Sequence, residues 1–430
     1  MTITLLLRLF CSAFLLSSLL PPAAQAHLLQ LSGRDLGPLV GQPTAQFSVF
    51  SASQGQLRPV PHQWLPWSED GLPAFRSDRS TRWAGQPGRI NAGDRLFLDA
   101  QDAGEALDAA ALSHSTENVV GELRVRHDDG DAYFYVVRNA YQQATQRYVR
   151  FDRERMQIKS THYQLNMAPD NLLVWNDFFF RGYESPGGRP QSILDTLKIR
   201  LSAGVLGDRS RITLDNSNLS PRIEEVIEGP LVTAVYATTS VRFARVPVLN
   251  IDNYFLIMPQ QTDIHSRFTL PGIANTVLNS PAVSMSLDGN QLLGARLRTS
   301  WTGELEARVD GTVSDTEQRM LDTPMSGRNW LWFSTGRQFD LLAELDFRDG
   351  FDTPVKLVYE DDRTLANPPE RFPGQGPNVG FALQDIPFGQ EFYFVARLLF
   401  SGDSQGLPAE DYARRALSGN SASYRVLGAP

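Results

Sequence analysis

Along residues 248–257 and again along 262–270 one set of every-second positions is mainly apolar, with Met258-Pro259-Gln260-Gln261 between the two runs. A period of two is the spacing of a β-strand, whose successive side chains point to opposite faces. The two runs therefore predict an antiparallel hairpin. One face collects Leu249, Ile251, Phe255 and Ile257 from the first run and Ile264 and Phe268 from the second. The other face collects Asp252, Tyr254, His265 and Arg267. Joined through the short connection, Phe255 falls opposite Ile264 and Ile251 opposite Phe268, with Tyr254 opposite His265 and Asp252 opposite Arg267. A slip of one residue would turn the apolar set outward, so only this register or one shifted by two keeps the apolar faces together.

The same rhythm runs through most of the chain. Residues 118–126 and 132–138 flank an Asp-Gly turn at 127–131, and residues 148–151 and 156–158 flank the polar turn 152–155. Residues 283–287 and 291–297 flank Asp288-Gly289-Asn290 in the same manner, and residues 339–347, 355–359 and 392–400 continue the strand pattern. Turn residues between β-prone runs are the signature of hairpins. Helix signals are few. Residues 408–417 have Pro408 and acids in the first turn, arginines in the last and Gly419 to stop them. Residues 103–112 are a weaker candidate. Many short strands with few helices predict an all-β fold of antiparallel sandwiches, up to one large supersandwich, with a short C-terminal helix. The expected division is a leader at 1–26, an N-terminal β module with long Pro- and Gly-rich loops at 27–117, and a large antiparallel sandwich at 118–430.

The leader changes the setting. Arg8 is the only charged residue before an apolar run reaching Leu20, Pro21-Pro22 break the run, and Ala24-Gln25-Ala26 has the small-x-small form that signal peptidase reads. That order predicts a secretory signal cut before His27, and a periplasmic or secreted mature chain. The apolar run is too short to span about 30 Å of hydrocarbon, and no later segment is long and apolar enough, so no membrane span is expected after cleavage. The single cysteine, Cys11, lies in the leader, leaving no disulfide or thiol chemistry for the mature part. Net charge is −8 and there is no basic block, which disfavours nucleic acid as a partner. Lysine is scarce: Lys159, Lys198 and Lys356 are the only three.

Several segments resemble a group of secreted prokaryotic β-rich proteins without assigned function. They are Gly93-Asp94-Arg95-Leu96-Phe97-Leu98 with Asp102-Ala103-Gly104, residues 193–200, Glu228-Gly229-Pro230-Leu231-Val232, and residues 264–271. The middle of the chain also resembles mutarotase-like sandwiches in its strand rhythm and Glu-Gly-Pro turn. The second resemblance implies a polysaccharide-binding or polysaccharide-cleaving fold; the first implies no activity.

Two sets of side chains are candidates for function. The polar hairpin face brings together Asp252, Tyr254, His265 and Arg267, an acid, a phenol, an imidazole and a guanidinium. In a lyase or hydrolase His265 or Tyr254 would move protons while Arg267 held a substrate carboxylate. The other reading of the same face is an ordinary sheet surface with a cross-strand ion pair. The aromatic residues Trp64, Trp67 and Trp83 in the N-terminal loops, with Trp175 and Tyr183, are candidate platforms for sugar rings, whose C–H faces stack on exposed aromatics. Glu224, Glu225 and Glu228 sit in one local stretch and do not suit a hydrolytic pair, which straddles a bond. The acids at 128–131 and 346–352 lack the ligand spacing of a calcium loop. No metal site and no cofactor are expected, and no phosphate loop is present. The expected function is a non-enzymatic envelope protein binding a partner or a glycan through a sandwich surface. The alternative is a polysaccharide-active enzyme, a lyase or epimerase-like protein, using the polar hairpin face.

Overall fold

The computed structural model describes residues 28–427 except 116, 128–129, 141, 208, 328, 348–352, 403, 405 and 419–420. The leader with its cleavage point before His27 lies outside the described residues, as do Asp128, Asp129, Asp349, Asp352 and Gly419.

A nine-stranded antiparallel sheet organises the molecule. Its order is Leu219–Glu228, Thr233–Phe243, Val246–Ile257, Gln261–Thr269, Glu391–Ser401, Asp340–Phe347, Trp330–Ser334, Arg296–Thr299 and Ala307–Arg308. One face packs against two smaller antiparallel sheets. The first has five strands in the order Arg211–Leu214, Leu194–Val205, Leu278–Gly289, Asn378–Leu383 and Val355–Glu360. The second has four, in the order Asn171–Phe180, Tyr163–Ala168, Gln157–Ser160 and Val149–Asp152. A continuous apolar core joins all three sheets, with Phe255, Ile264, Phe268, Leu197, Ile199, Phe381 and Phe178 among its members. The fold is all-β, a supersandwich of antiparallel sheets.

The N-terminal part is a smaller sandwich. Leu28–Ser32, Arg95–Asp99 and His62–Leu65 form a three-stranded sheet. It faces five strands in the order Ser421–Val426, Val119–His127, Gly130–Arg138, Phe47–Ser53 and Gln56–Pro59. Leu29, Leu31, Leu96 and Leu98 meet Phe47, Val49, Leu123 and Phe134 between them. This sheet joins strands from both sides of the junction expected at 117/118, and the last strand of the chain returns to it.

The far face of the large sheet is covered as well. Loop residues Trp67, Leu72 and Phe75 and strand residue Phe97 pack on Tyr236, Tyr254, Leu256, Tyr393 and Val395. Farther along the same sheet, the helix Ala409–Ser418 lays Ala409, Tyr412, Ala413 and Ala416 on Trp330, Trp332 and Leu342. Burial on both faces explains why 254–258 reads as an unbroken apolar run, because neither face of the strand then needs a solvated side chain.

Three local expectations are revised. The helix expected at 103–112 is confined to Ala109–His114, where the Asp108 side chain accepts from Ala111 N at 2.7 Å. A further helix, Asp315–Asp322, is started by a capping box between Ser314 and Glu317; that Ser-x-x-Glu signal stood in the sequence. Asp288-Gly289-Asn290 is not a hairpin turn. The strand before it pairs with Leu194–Val205 and Asn378–Leu383, and the segment after it crosses to the large sheet as Arg296–Thr299. An Asp-Gly pair reports a local turn, and does not say in which layer the next strand finds its apolar partners.

Candidate functional site

The hairpin Val246–Ile257 and Gln261–Thr269 has the register read from its pattern. Ile251 pairs with Phe268, Asp252 with Arg267, Tyr254 with His265 and Phe255 with Ile264. The apolar face looks into the main core, and the polar face lies beneath the N-terminal loop. There the cluster is larger than the four expected residues. The Tyr254 hydroxyl donates to Asp78 Oδ2 at 2.7 Å, and Asp78 also accepts from Ser80 and Thr81. Arg267 Nη2 donates to Tyr254 Oη at 3.0 Å and to Ser80 Oγ, and lies 3.5 Å from Asp252 Oδ2. Tyr236 donates to Asp252 Oδ1 at 3.1 Å and stacks on Tyr254 with ring centroids 5.0 Å apart. His265 Nδ1 is 2.5 Å from Tyr393 Oη.

These groups are spent on one another. Burial and the hydrogen bond to Asp78 push the Tyr254 phenol far above its ordinary range, so it stays a neutral donor and not a base. Burial raises the Asp252 carboxyl, with Tyr236 and Arg267 offsetting part of the rise. Burial alone would also raise Asp78, but hydrogen bonds from Ser80, Tyr254 and Thr81 outweigh it and leave the carboxyl below its usual value. Tyr254 is fully buried, and His265 and Arg267 are each 7% exposed. The arrangement clasps the N-terminal loop to the large sheet. Sequence reading found one side of this clasp and missed Asp78, Ser80, Tyr236 and Tyr393. The polar run Ser77-Asp78-Arg79-Ser80-Thr81 was the only signal, and nothing local shows what such a run faces.

The aromatic candidates separate. Trp64 is half-buried against the N-terminal core, Trp67 belongs to the interface cluster with Arg95 5.2 Å above its ring, and Trp175 sits in the main core. Trp175 Nε1 donates to the Leu172 carbonyl at 3.2 Å, and Trp83 Nε1 to the Phe75 carbonyl at 3.3 Å, pinning the N-terminal loop. Tyr183 is half-buried beside Phe339. Of the acids, Glu225 accepts from Ser77 N, and Glu224 accepts from Thr238 and pairs with Arg222.

A second polar arrangement lies on the outer face of the five-stranded sheet. Register sets Thr196, Asp288, Asn378 and Glu360 in one row across it, then Lys198, Ser286, Gly380 and Val358, then Arg200, Ser284, Ala382 and Lys356. The loop 361–377 straps over the first two rows. Lys198, only 2% exposed, places Nζ 2.8 Å from Asp288 Oδ2 and 3.0 Å from Glu370 Oε1 on the strap. Burial pushes the Asp288 carboxyl up to about 6 despite the lysine. Asp195, fully buried, accepts from Arg371 N and Phe372 N. Only glycine fits at Gly380, where a Cβ would stand 2.0 Å from the Met285 carbonyl oxygen.

Beyond the strap the face is open. A groove of about 500 Å³ runs over Ser202, Ala282, Ser284 and Ala382, with Arg200 at the strap end. Arg211 and Ser280 border it, as do Gln384 and Asp385 past the end of Asn378–Leu383. Arg211 Nη2 is held by Ser202 Oγ at 3.1 Å and the Ser280 carbonyl at 2.8 Å, and Arg200 Nη2 by Asn367 Oδ1 at 3.0 Å and the Pro368 carbonyl. Among the described residues no group of three or more His, Cys, Asp or Glu could hold a metal ion, and no helix is long and apolar enough to cross a membrane.

Comparison with family models and with curated proteins returns no match. Among solved structures, an alpha-mannosidase from Enterococcus faecalis is 9% identical, with a TM-score of 0.44 covering 94% of this chain and 44% of that one. An alpha-N-acetylgalactosaminidase from Bifidobacterium bifidum is 13% identical, with a TM-score of 0.33 over 58% of this chain and 36% of its own. A heparan sulfate lyase from Pedobacter heparinus is 12% identical, with a TM-score of 0.31 over 58% and 33%. The chain thus spans less than half the length of each, and these matches add nothing to the resemblance to mutarotase-like sandwiches.

Proposed function

We propose that this is an exported protein that binds a glycan, without transforming it, in the groove on the outer face of the five-stranded sheet. One observation carries the reading: a groove of about 500 Å³ with a floor of small side chains and a border of Arg200, Arg211, Gln384 and Asp385. Planar side chains with paired donors or acceptors suit the adjacent hydroxyls of a sugar, and serine hydroxyls on the floor both donate and accept. The groove crosses the middle of the sheet, where backbone N–H and C=O groups are already paired. A ligand there is therefore read by side chains and not by adding a strand at an edge. The polar hairpin face supports an enzyme less well, since its acid, phenol and guanidinium are consumed by the clasp.

A glycan panel tests the proposal, with Ala382→Trp to fill the groove and His265→Ala to break the clasp. Binding by the wild type and by His265→Ala, lost in Ala382→Trp at unchanged thermal stability, is the expected result. Binding that survives Ala382→Trp would move the site elsewhere. Cleavage products from any bound glycan would replace binding with catalysis.

A further inference from the structure

We infer that the ligand of this groove is a polyanionic glycan, whose carboxylates or sulfates meet Arg200 and Lys356; the inference rests on the glycan-binding reading of the same groove. Arg200 and Lys356 end one row of the sheet, with Ser284 and Ala382 between them. Three inter-strand steps separate their Cα atoms by about 14 Å, a span that suits an oligosaccharide and not a single sugar. The two residues between are too small to interrupt it.

Charge points the same way. The whole chain carries −8, yet the groove has Arg200 and Arg211 in its lining and Lys356 beside Ala382, against Asp385 as the one carboxylate of that lining among the described residues. Lys356 is one of only three lysines in the chain and is exposed on this face. The strap holds the Arg200 guanidinium through Asn367 and Pro368, and the floor serine Ser202 with the Ser280 carbonyl holds Arg211. Guanidinium groups fixed in advance lose little freedom on meeting an anion, to which a guanidinium N–H gives a charge-assisted hydrogen bond.

Among the described residues the lining contains no aromatic ring. A neutral sugar in a polar groove depends on stacking for much of its affinity, since each hydroxyl contact only replaces one with water. Without a stacking platform, charge-assisted hydrogen bonds are the contacts left to bind with. An acidic peptide would offer the same charges, but it lacks the hydroxyls that Ser202, Ser284 and Gln384 would pair.

The test is calorimetric titration of the intact protein with size-matched oligosaccharides: an oligogalacturonate, a sulfated glycan and a neutral malto-oligosaccharide, with oligoglutamate as the peptide polyanion. We expect binding of the uronate or the sulfated chain that weakens as salt rises. We expect about a tenfold loss in each of Arg200→Gln and Lys356→Gln, the size of one charge-assisted hydrogen bond. Lys356 is exposed, so its variant folds as the wild type does and separates lost charge from lost structure. Oligouronate-only and sulfate-only binding distinguish the two anion types. Equal binding of the neutral chain, unaffected by both variants but abolished by Ala382→Trp, would overturn the anionic inference and leave the groove reading standing. Oligoglutamate bound as tightly as oligogalacturonate would overturn the glycan as ligand. No binding by any of the four would overturn both readings.

Discussion

The phenolic oxygen of Tyr254 lies 2.7 Å from a carboxylate oxygen of Asp78, joining the large sheet to a loop 176 residues earlier in the chain. Asp78 is 5% exposed and takes three side-chain hydrogen bonds there, from Ser80, Thr81 and Tyr254. Replacing it with alanine leaves a buried phenol and two hydroxyls to find new acceptors. The expected cost is about 3 kcal/mol, in the range of a hydrogen bond to a charged group plus desolvated partners. Urea unfolding of Asp78→Ala measures it. The sign with pH also follows. Because the folded carboxyl is held below its usual value, its contribution is complete at neutral pH and is lost as pH falls through the lowered pKa. Asp78→Asn should therefore lose less stability on acidification than the wild type does.

The hairpin register was legible because it depends on what the two strands carry. Ile251, Phe255, Ile264 and Phe268 reach one face together only in this pairing or one shifted by two residues. The fate of the opposite face was not legible. Whether Asp252 and Arg267 meet water, a substrate or Ser80 depends on a loop whose sequence, rich in Pro, Gly and Ser, specifies turns and no direction. The groove was hidden for a related reason. Arg200, Ser284, Ala382 and Lys356 come from four strands spread over more than 180 residues, and their row exists only once strand order is known. Lys198 was the nearest local sign, a lysine at an alternating position between the apolar residues Leu197 and Ile199.

Lys198 itself should be costly to remove. Its ammonium lies between Asp288 and Glu370 with almost no exposure, so Lys198→Ala leaves two carboxylates facing each other in a buried site. Loss of one partner from a buried pair costs roughly 3–5 kcal/mol. Because Glu370 belongs to the strap, the variant should also be cut more readily by protease within 361–377, which limited proteolysis followed by mass spectrometry would show. A variant with wild-type stability and an uncut strap would mean that the lysine contributes nothing to holding it.

Asp288 predicts a pH dependence of the opposite sign to Asp78. Burial raises its folded pKa to about 6, above the ordinary aspartate value of about 3.9. Between those two values the folded state holds more protons than the unfolded, so stability falls as pH rises from about 4 to about 6 and then levels. Asp288→Asn removes that slope. It also removes one partner of Lys198, so the variant is less stable overall but flatter across this window. Unfolding midpoints at a series of pH values separate the two effects, and a variant with the wild-type slope would assign the titration to another group.

His265 decides between the clasp and an active site. Its Nδ1 shares a 2.5 Å hydrogen bond with Tyr393 inside the interface, where the ring is 7% exposed. If this bond is structural, His265→Ala lowers stability by about 1–3 kcal/mol through the loss of a buried hydrogen bond to Tyr393, and glycan affinity is unchanged because the groove lies on another sheet. Tyr393→Phe should cost less, and the double variant less than the sum of the two, since each single change already breaks the same bond. A His265→Ala protein with wild-type stability but without binding or turnover would reverse the assignment. It would make the imidazole a reacting group, place the ligand under the N-terminal loop, and require that loop to open for access.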